Sequence, residues 1–340
     1  MSFCPSPYPF GSVKFFPTLI WKLFNPYLWA VKVREKLYLK GVLKRCRPKA
    51  VVVSIGNLSV GGTGKTPTTS ELAKFFSSRG VKTAILLRGY GRKTRGALLV
   101  SAGDRPLLGV EEAGDEAFLY ASRLKGVAVA VAERRCEGAR LLEETFNPDL
   151  ILLDDGFQHL AIERDFDIVL LTPRDLRDRV LPFGRLREPL SALRRANFCL
   201  FSKASPPHGE LEKLCLQMGK PFGYLEVVGY RLLTPEGEEV PFETLKGRKV
   251  GIVSAVGDNK GFQNTLKGLA NRYGFQIVET LAFPDHYGYE GVKLDPSLLW
   301  ITTFKDLYKL RERTNARLLV LDREIRLPKN LLEELEKVVR

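Results

Sequence analysis

The sequence lacks several features that would set it apart from ordinary globular proteins. None of its five cysteines forms a CxxC pair, which argues against a zinc site. Their odd number and wide scatter favour reduced thiols in a cytosolic compartment over a disulfide framework. No low-complexity tract or internal repeat is present, and no apolar run approaches the roughly 20 residues that a membrane-spanning helix needs. At 340 residues, the chain exceeds what one hydrophobic core usually organises, so two domains are expected.

Negative charge is scarce at one end of the chain. Residues 14–49 contain ten Lys or Arg and a single acid, so residues 1–49 carry +9 of the net charge of +14. Such a local excess indicates an anionic partner, and we expect an anionic membrane surface to bind residues 14–49. No nucleic-acid recognition motif accompanies the charge, so nucleic acid is not expected as a partner.

Apolar residues at helical spacing accompany that charge over residues 16–31. Trp21 and Trp29 widen the stripe with rings that favour the headgroup zone of a bilayer. Two interpretations stay open: a first helix packed on the core, or an interfacial helix on an anionic membrane. The concentrated charge favours the second, so residues 1–49 are predicted to form a basic, membrane-associated helical segment. The segment lacks the basic start and cleavage site of a signal peptide.

From residue 50 onward, short β-rich runs alternate with helical segments, which is typical of a parallel, doubly wound α/β sheet. Runs such as 83–87 and 150–154 are predicted to be buried strands. The rhythm breaks between residues 205 and 248, where the turn TPEGEE predicts a hairpin. Three segments are therefore expected: a P-loop domain over 50–222, a β-hairpin linker over 223–248, and a smaller α/β domain over 249–340. The cleft between the two domains is the natural place for a site.

The segment SVGGTGKTP (59–67) lies between an apolar strand and a helix start, as a phosphate-binding loop does. Its glycines let backbone N–H groups converge on phosphate oxygens beside a helix N-terminus. Lys65 would reach the β and γ phosphates of ATP, and Thr66 would place its hydroxyl on Mg²⁺. The strict pattern has Gly where this chain has Ser59, so a chance Gly-rich turn is the alternative. The predicted nucleotide-binding residues are Ser59, Gly61, Gly62, Thr63, Gly64, Lys65 and Thr66.

Acidic residues supply candidates for the metal and for the chemistry. A predicted strand ends in Asp154 and Asp155, as a Walker B magnesium site requires, and adjacent carboxylates repel unless a cation lies near them. The sequence does not decide which of the two binds the metal. Asp115 and Glu116 begin a helix, where acids are ordinary dipole partners. His286 is one of three histidines, so a structural role stays open for it as well.

Polar residues also follow other predicted strands, in the stretches LLRGYGRK (86–93), DDGFQH (154–159) and LPFGRLREPL (181–190). Arginine forks bind phosphate groups, and ligands of open α/β sheets lie at the carboxyl ends of strands. Solvated surface charge is the alternative for most of the arginines. The candidate substrate-binding residues are Arg88, Tyr90, Gln158, His159, Arg185 and Arg187.

Six motifs stand in one order along the chain: GNLSVGGTGKTP (56–67), LLRGYGRK, GDE (114–116), DDGFQH, LPFGRLREP and DHY (285–287). In this combination the chain resembles the tetraacyldisaccharide 4′-kinase family, the lipid A 4′-kinases of Gram-negative bacteria, over most of its length. Ser or Thr replaces the first P-loop glycine in that family, so Ser59 fits it. One departure is Phe304 in TTFKD (302–306), where the family usually has an acid, although Lys305 and Asp306 remain.

The resemblance implies transfer of the ATP γ-phosphoryl group to the 4′-hydroxyl of a tetraacylated glucosamine disaccharide 1-phosphate. It also implies a catalytic pair of Asp115 and His286, a membrane-associated N-terminal helix, and two α/β domains joined by a β ribbon. The predicted ligands of Mg²⁺ are Thr66, Glu116, Asp154 and Asp155. We expect a monomer, peripheral on the cytoplasmic face of the inner membrane. Two other classes stay open: a membrane-associated partition-type ATPase, and a P-loop kinase of a soluble metabolite.

Overall fold

The computed structural model describes residues 25–339, so the apolar stripe predicted before residue 25 lies outside the described part. The helices are α1 (Pro26–Leu39), α2 (Lys65–Ser77), α3 (Val110–Ala113), α4 (Asp115–Arg123), α5 (Arg135–Thr145), α6 (Gly209–Gln217), α7 (Asn259–Tyr273), α8 (Phe304–Leu310) and α9 (Lys329–Val338). The first strands are β1 (Val51–Asn57), β2 (Thr83–Leu87), β3 (Leu98–Ser101), β4 (Ala128–Val131), β5 (Leu150–Asp154), β6 (Phe166–Leu171), β7 (Phe198–Phe201) and β8 (Phe222–Tyr224). The later strands are β9 (Glu226–Leu233), β10 (Glu239–Val240), β11 (Lys249–Ser254), β12 (Gln276–Ala282), β13 (Leu299–Thr302) and β14 (Arg317–Arg326).

The first sheet has the strand order β3-β4-β2-β5-β1-β6-β7-β8. Its pairs are parallel except that of β3 with β4, and apolar clusters cover both of its faces. A parallel sheet needs both faces covered because helical crossovers lie on each side. The strands predicted over 83–87 and 150–154 coincide with β2 and β5. This sheet confirms the predicted P-loop-type α/β fold; the short antiparallel edge strand β3 was not predicted.

The second sheet has the order β10-β9-β14-β13-β11-β12. The turn TPEGEE joins β9 to β10 in an antiparallel hairpin, as predicted, but β9 also pairs along β14. The hairpin is therefore an edge of the second sheet. After β14, helix α9 returns to the first sheet, where Leu331 and Leu335 are buried in the core cluster with residues of α2 and α4. The domain boundaries at residues 222 and 249 stay a prediction.

Helix α1 begins where the apolar run of the sequence is interrupted. The Asn25 side chain accepts a hydrogen bond from the Leu28 N–H group at 3.0 Å, and Pro26 occupies the first helical position. Asn and Pro are favoured at these two positions, so they start the helix rather than break it. None of the helix residues is buried, and Trp29 is 67% exposed.

Polar contacts attach α1 to the rest of the protein. Tyr27 donates to the Arg187 carbonyl oxygen at 3.0 Å, and Glu35 binds Arg195 at 2.7 Å. An outward-facing helix held in this way leaves its apolar side chains available to another surface. No helix within residues 25–339 is long and apolar enough to cross a membrane.

One expectation about the cysteines is wrong. Cys46 and Cys136 form a disulfide bond, with Cα atoms 5.9 Å apart. A β-bridge pairs Cys46 with Ile162, and Cys136 Sγ of α5 lies 3.4 Å from the neighbouring Ala161 carbonyl oxygen. The two cysteines therefore meet at this segment, although they are 90 residues apart in sequence. Scattered spacing could not reveal a proximity that only the tertiary fold creates. Cys199 and Cys215 are free and buried.

Candidate active site

The phosphate-binding loop follows β1 at the carboxyl end of the first sheet. Gly61 and Gly64 have φ angles of 110° and 96°, in the left-handed region that glycine adopts without strain. Helix α2 begins directly after the loop, so its free N–H groups face the phosphate position. Ser202 donates to the Thr63 carbonyl oxygen at 2.6 Å, which ties the loop to the end of β7. The predicted loop thus has the strand–loop–helix context that phosphate binding requires.

Lys65 lies in a network of charges beside this loop. Its Nζ atom is 3.2 Å from Asn57 Oδ1 and 3.6 Å from Asp155 Oδ1. Arg187 binds both oxygens of Asp155 at 2.7 Å and also contacts Asn57. Burial alone would raise the pKa of Asp155, but Arg187 and Lys65 outweigh it and hold that pKa well below its usual range. Cations of the protein therefore already neutralise Asp155.

Asp154 has a different environment, although it is the next residue. One oxygen, Oδ2, accepts a 2.6 Å hydrogen bond from Tyr120, while Oδ1 is buried without a hydrogen-bond partner among the described residues. Burial and the nearby Glu116 carboxylate raise the pKa of Asp154 to about 7. Glu116 Oε1 in turn lies 3.5 Å from Thr66 Oγ1. An orphaned carboxylate oxygen with a second carboxylate and a hydroxyl nearby fits Mg²⁺.

Mg²⁺ in such sites keeps several waters and nucleotide oxygens as ligands. Residues 25–339 contain no group of three His, Cys, Asp or Glu side chains that could hold a metal ion. The environments of the four predicted ligands differ, and their role in metal binding stays a prediction. Asp154, Glu116 and Thr66 leave oxygen atoms available, whereas Asp155 is engaged by Arg187.

Asp115 and His286 meet across the cleft between the two sheets. His286 Nδ1 lies 3.0 Å from Asp115 Oδ2, although 171 residues separate them in sequence. Asp115 begins α4 on the first sheet, while His286 follows β12 of the second sheet and has a φ angle of 65°. A non-glycine residue in this left-handed region is uncommon and often marks a functional position. Burial alone would raise the pKa of Asp115, but hydrogen bonds from His286 and Lys309 outweigh it and lower that pKa.

Helix α8 contributes two lysines to this side of the site. Lys309 Nζ lies 2.5 Å from Asp115 Oδ2, and Lys305 Nζ lies 3.3 Å from His286 Nε2 and 2.6 Å from Asp285 Oδ1. The two lysines are four positions apart, which places them on one face of the helix. Neither Lys305 nor Lys309 is among the site residues predicted from the sequence. Two lysines at helical spacing, just after a predicted strand, could have indicated a pair of cations at the carboxyl end of that strand.

Of the six predicted substrate residues, Tyr90 lies beside His286. The Tyr90 ring lies 4.9 Å from the His286 ring and is 64% exposed, so a ligand in the cleft could reach it. Arg187 is the partner of Asp155 described above. The exposed Arg88 precedes Tyr90 in the same loop.

The other three predicted substrate residues make supporting contacts. Gln158 donates to the Asn57 carbonyl oxygen at 3.0 Å, and Arg185 binds Asp178 at 2.9 Å. His159 Nε2 lies 3.1 Å from an Arg135 guanidinium nitrogen. Burial and the charge of Arg135 lower the pKa of His159 to about 3. His159 is therefore neutral at physiological pH.

A further contact joins the two sheets beside α4. Arg123 binds the Asp322 carboxylate, with distances of 3.2 and 2.5 Å, and its guanidinium lies 3.9 Å from the centre of the Phe304 ring. Phe304 is the residue that stands where the resembled family usually has an acid. Here the ring makes a cation–π contact, and Asp322 supplies the carboxylate for Arg123. The departure in TTFKD is therefore accommodated at the contact between the sheets.

These features are those of a P-loop phosphotransferase, with Asp115 and His286 in contact between the two sheets. A model of the family described as tetraacyldisaccharide-1-P 4′-kinase matches residues 17–340. The tetraacyldisaccharide 4′-kinase of Aquifex aeolicus is 40% identical over 91% of this chain and 93% of its own length. The enzyme of that name from Chlorobaculum tepidum is 37% identical over 84% of each chain.

A solved structure is also similar. The crystal structure described as the "apo" form of LpxK from Aquifex aeolicus in complex with ATP has a TM-score of 0.80 and 36% identity, over 95% of this chain and 99% of the other. The chain belongs to the tetraacyldisaccharide-1-P 4′-kinase family. Membership confirms the predicted family, the fold class, the use of ATP and the enzyme class, a phosphotransferase with an alcohol acceptor. The roles of individual residues stay predictions.

Proposed function

We propose that this chain transfers the γ-phosphoryl group of ATP to the 4′-hydroxyl of a tetraacylated glucosamine disaccharide 1-phosphate, with Asp115 as the general base. The observation that carries the residue assignment is the 3.0 Å contact of Asp115 with His286, formed between two sheets beside a P-loop. Family membership supports the class of acceptor. The tetraacyldisaccharide kinases of Aquifex and Chlorobaculum align with this chain over most of its length.

The donor side holds ATP through the loop N–H groups and Lys65. The ammonium of Lys65 lies between Asn57 and Asp155, where it can exchange its 3.6 Å contact with Asp155 for a phosphate oxygen. Asp154, Glu116 and Thr66 would hold Mg²⁺, since Asp155 is engaged by Arg187. When bound, Mg²⁺ neutralises the charge that develops on the phosphate oxygens.

The acceptor side activates the sugar hydroxyl. The 4′-oxygen forms a bond to the γ phosphorus while the bond to the β–γ bridging oxygen breaks, so that ADP leaves. The hydroxyl proton passes to Asp115, and His286 holds the carboxylate from the opposite wall of the cleft. A positioned base contributes about 10²–10⁴-fold to such a step. Because the pair comes from two sheets, its assembly depends on their approach, which limits transfer to water.

Attachment to a membrane would bring the enzyme to its acylated substrate. On α1 and the segment after it, Trp29, Leu39 and Val42 are at least 65% exposed, and basic side chains lie among them. Apolar rings and lysines at one surface favour the interface of an anionic bilayer. We therefore place the protein on the cytoplasmic face of the inner membrane, as a peripheral protein.

Transfer of label from γ-³²P-ATP tests the function directly. The protein is incubated with labelled ATP and a lipid extract that contains the disaccharide 1-phosphate, and the lipid and aqueous phases are separated. We expect label in a lipid, and we expect Asp115→Asn to reduce that rate by about 10²-fold or more, since the base is removed. Label in an aqueous product would instead indicate a kinase of a soluble metabolite. ATP hydrolysis without labelled lipid would indicate a partition-type ATPase.

A further inference from the structure

Lys309 has no part in the mechanism described above, yet it lies at its centre. Its Nζ atom is 2.5 Å from Asp115 Oδ2 and 3.1 Å from the Tyr287 carbonyl oxygen. The side chains of Lys309 and Asp115 are each 10% exposed, so the pair is largely shielded from water. An ammonium group in such a place is stable only with partners of opposite charge, and Asp115 is that partner.

The position of Lys309 is fixed by the attachment of α8 to the second sheet. Thr303 caps the helix, and the buried Asp306 carboxylate accepts hydrogen bonds from the Thr303 hydroxyl at 2.8 Å and from the Ala255 N–H group at 3.1 Å. Leu307 and Leu310, on either side of Lys309 in sequence, are buried in the core of the second sheet. The lysine side chain therefore extends from a helix held on the second sheet toward Asp115 beside the first sheet.

Two donors converge on a single oxygen of Asp115. Both His286 Nδ1 and Lys309 Nζ contact Oδ2. Within residues 25–339, Oδ1 receives no comparable hydrogen bond. The terminal torsion of an aspartate is soft, so one contact would leave the carboxylate free to turn. Two contacts on one oxygen, from side chains on two different segments, restrict that rotation and hold Oδ1 in one place.

We propose that Lys309 is a positioning residue for the phosphoryl transfer: together with His286 it fixes the Asp115 carboxylate so that Oδ1 faces the acceptor hydroxyl. The inference rests on the proposed function of Asp115 as the base. Lys309 acts through Asp115 and not on the phosphates. Displacement of a reacting group by about 1 Å costs about 10²-fold in rate, which sets the expected size of the effect.

The test compares Lys309→Met, which keeps the length of the stem and removes the ammonium, with Arg311→Met. Arg311 follows the same helix but is 60% exposed and pairs with Glu236 at 3.5 Å, so it controls for loss of one positive charge. We expect Lys309→Met to lower kcat by about 10²-fold and to leave the KM for ATP within about twofold. The control stays within about twofold of the wild type in both. A kcat of Lys309→Met within about threefold of the wild type would overturn the proposal.

A double variant separates positioning from a structural role. A residue that acts through Asp115 adds little once Asp115 is replaced, so Asp115→Asn with Lys309→Met should match Asp115→Asn alone within about twofold. Independent, multiplying losses would contradict the proposal. Added ethylamine should also restore part of the activity of Lys309→Ala, which it would not do if that variant had merely lost its fold. Wild-type turnover in Asp115→Asn would refute the role of Asp115 as the base. An active Lys309→Met together with an inactive Asp115→Asn would refute only the positioning role of Lys309.

Discussion

The donor side and the acceptor side of this site are built in different ways. The donor side consists of the loop 59–66, which follows β1, and the end of β5. These two strands are neighbours in one sheet. The acceptor side joins Asp115 of the first sheet to His286 and the lysines of α8 on the second. Nucleotide binding therefore depends on local structure, whereas transfer also depends on how the two sheets are held together.

The largest effect is expected on the donor side, from Lys65→Ala. Loss of the ammonium removes a charge from the phosphates, and removal of one such stabilising group typically costs about 10²–10³-fold in kcat. Steady-state kinetics with varied ATP measure it, and Lys74→Ala is the matched control. Lys74 lies on the same helix, is 47% exposed and pairs with Glu71 at 2.6 Å. Near-normal kcat in Lys65→Ala would remove the P-loop lysine from the mechanism.

An intermediate effect is expected where the sheets meet, from Arg123→Ala. This variant loses the Asp322 ion pair and the contact with the Phe304 ring, so the second sheet is held less well over α4. We expect about a tenfold loss in kcat/KM for the lipid acceptor and little change in ATP affinity, because truncated charge pairs of this kind cost roughly 1–2 kcal/mol.

Equilibrium binding of a fluorescent ATP analogue and initial rates give the two quantities for Arg123→Ala. Arg134→Ala is the control, since Arg134 is 82% exposed and pairs with Glu137 of the adjoining helix at 3.2 Å. An equal loss of ATP affinity and of turnover would show that the donor side also depends on the contact between the sheets.

The smallest effect concerns how stability depends on pH. This dependence has opposite signs for Asp154 on the donor side and Asp115 on the acceptor side. In the metal-free protein the pKa of Asp154 is about 7, against about 3.9 in the unfolded chain. The folded state therefore binds the extra proton, and stability falls as pH rises from about 4 to 7. The pKa of Asp115 is lowered instead, so its contribution is present at neutral pH and is lost as pH falls.

Thermal unfolding in EDTA at pH 5 and pH 8 tests this contrast. We expect Asp154→Asn to gain about 2–4 °C in Tm relative to the wild type between pH 5 and pH 8. The pKa difference corresponds to roughly 2–3 kcal/mol over that pH range, and Tm shifts by about 1–2 °C per kcal/mol in a chain of 340 residues. Asp115→Asn should lower Tm at pH 8 by a similar amount, since its partners Lys309 and His286 lose a carboxylate. The same sign for both variants would show that the two carboxylates do not differ as described.

The sequence by itself determined the parts of the protein whose residues are neighbours in the chain. The P-loop, the acidic end of β5, the buried strands and the family follow from contiguous motifs, because a strand, a turn and a helix start each depend on the order of adjacent residues. The pairing of Asp115 with His286 entered only through the resemblance, since nothing in the chain between GDE and DHY indicates that these two motifs meet.

The tertiary structure alone decided what depends on distant residues. It separated Asp155, bound to Arg187, from Asp154 with its free oxygen, and it placed Lys309 against Asp115 from a position 194 residues away. It also joined Cys46 to Cys136 and returned α9 to the first sheet. Hydrophobic periodicity says that a face is buried, but not which other face covers it, and that choice is made only when the two sheets pack together.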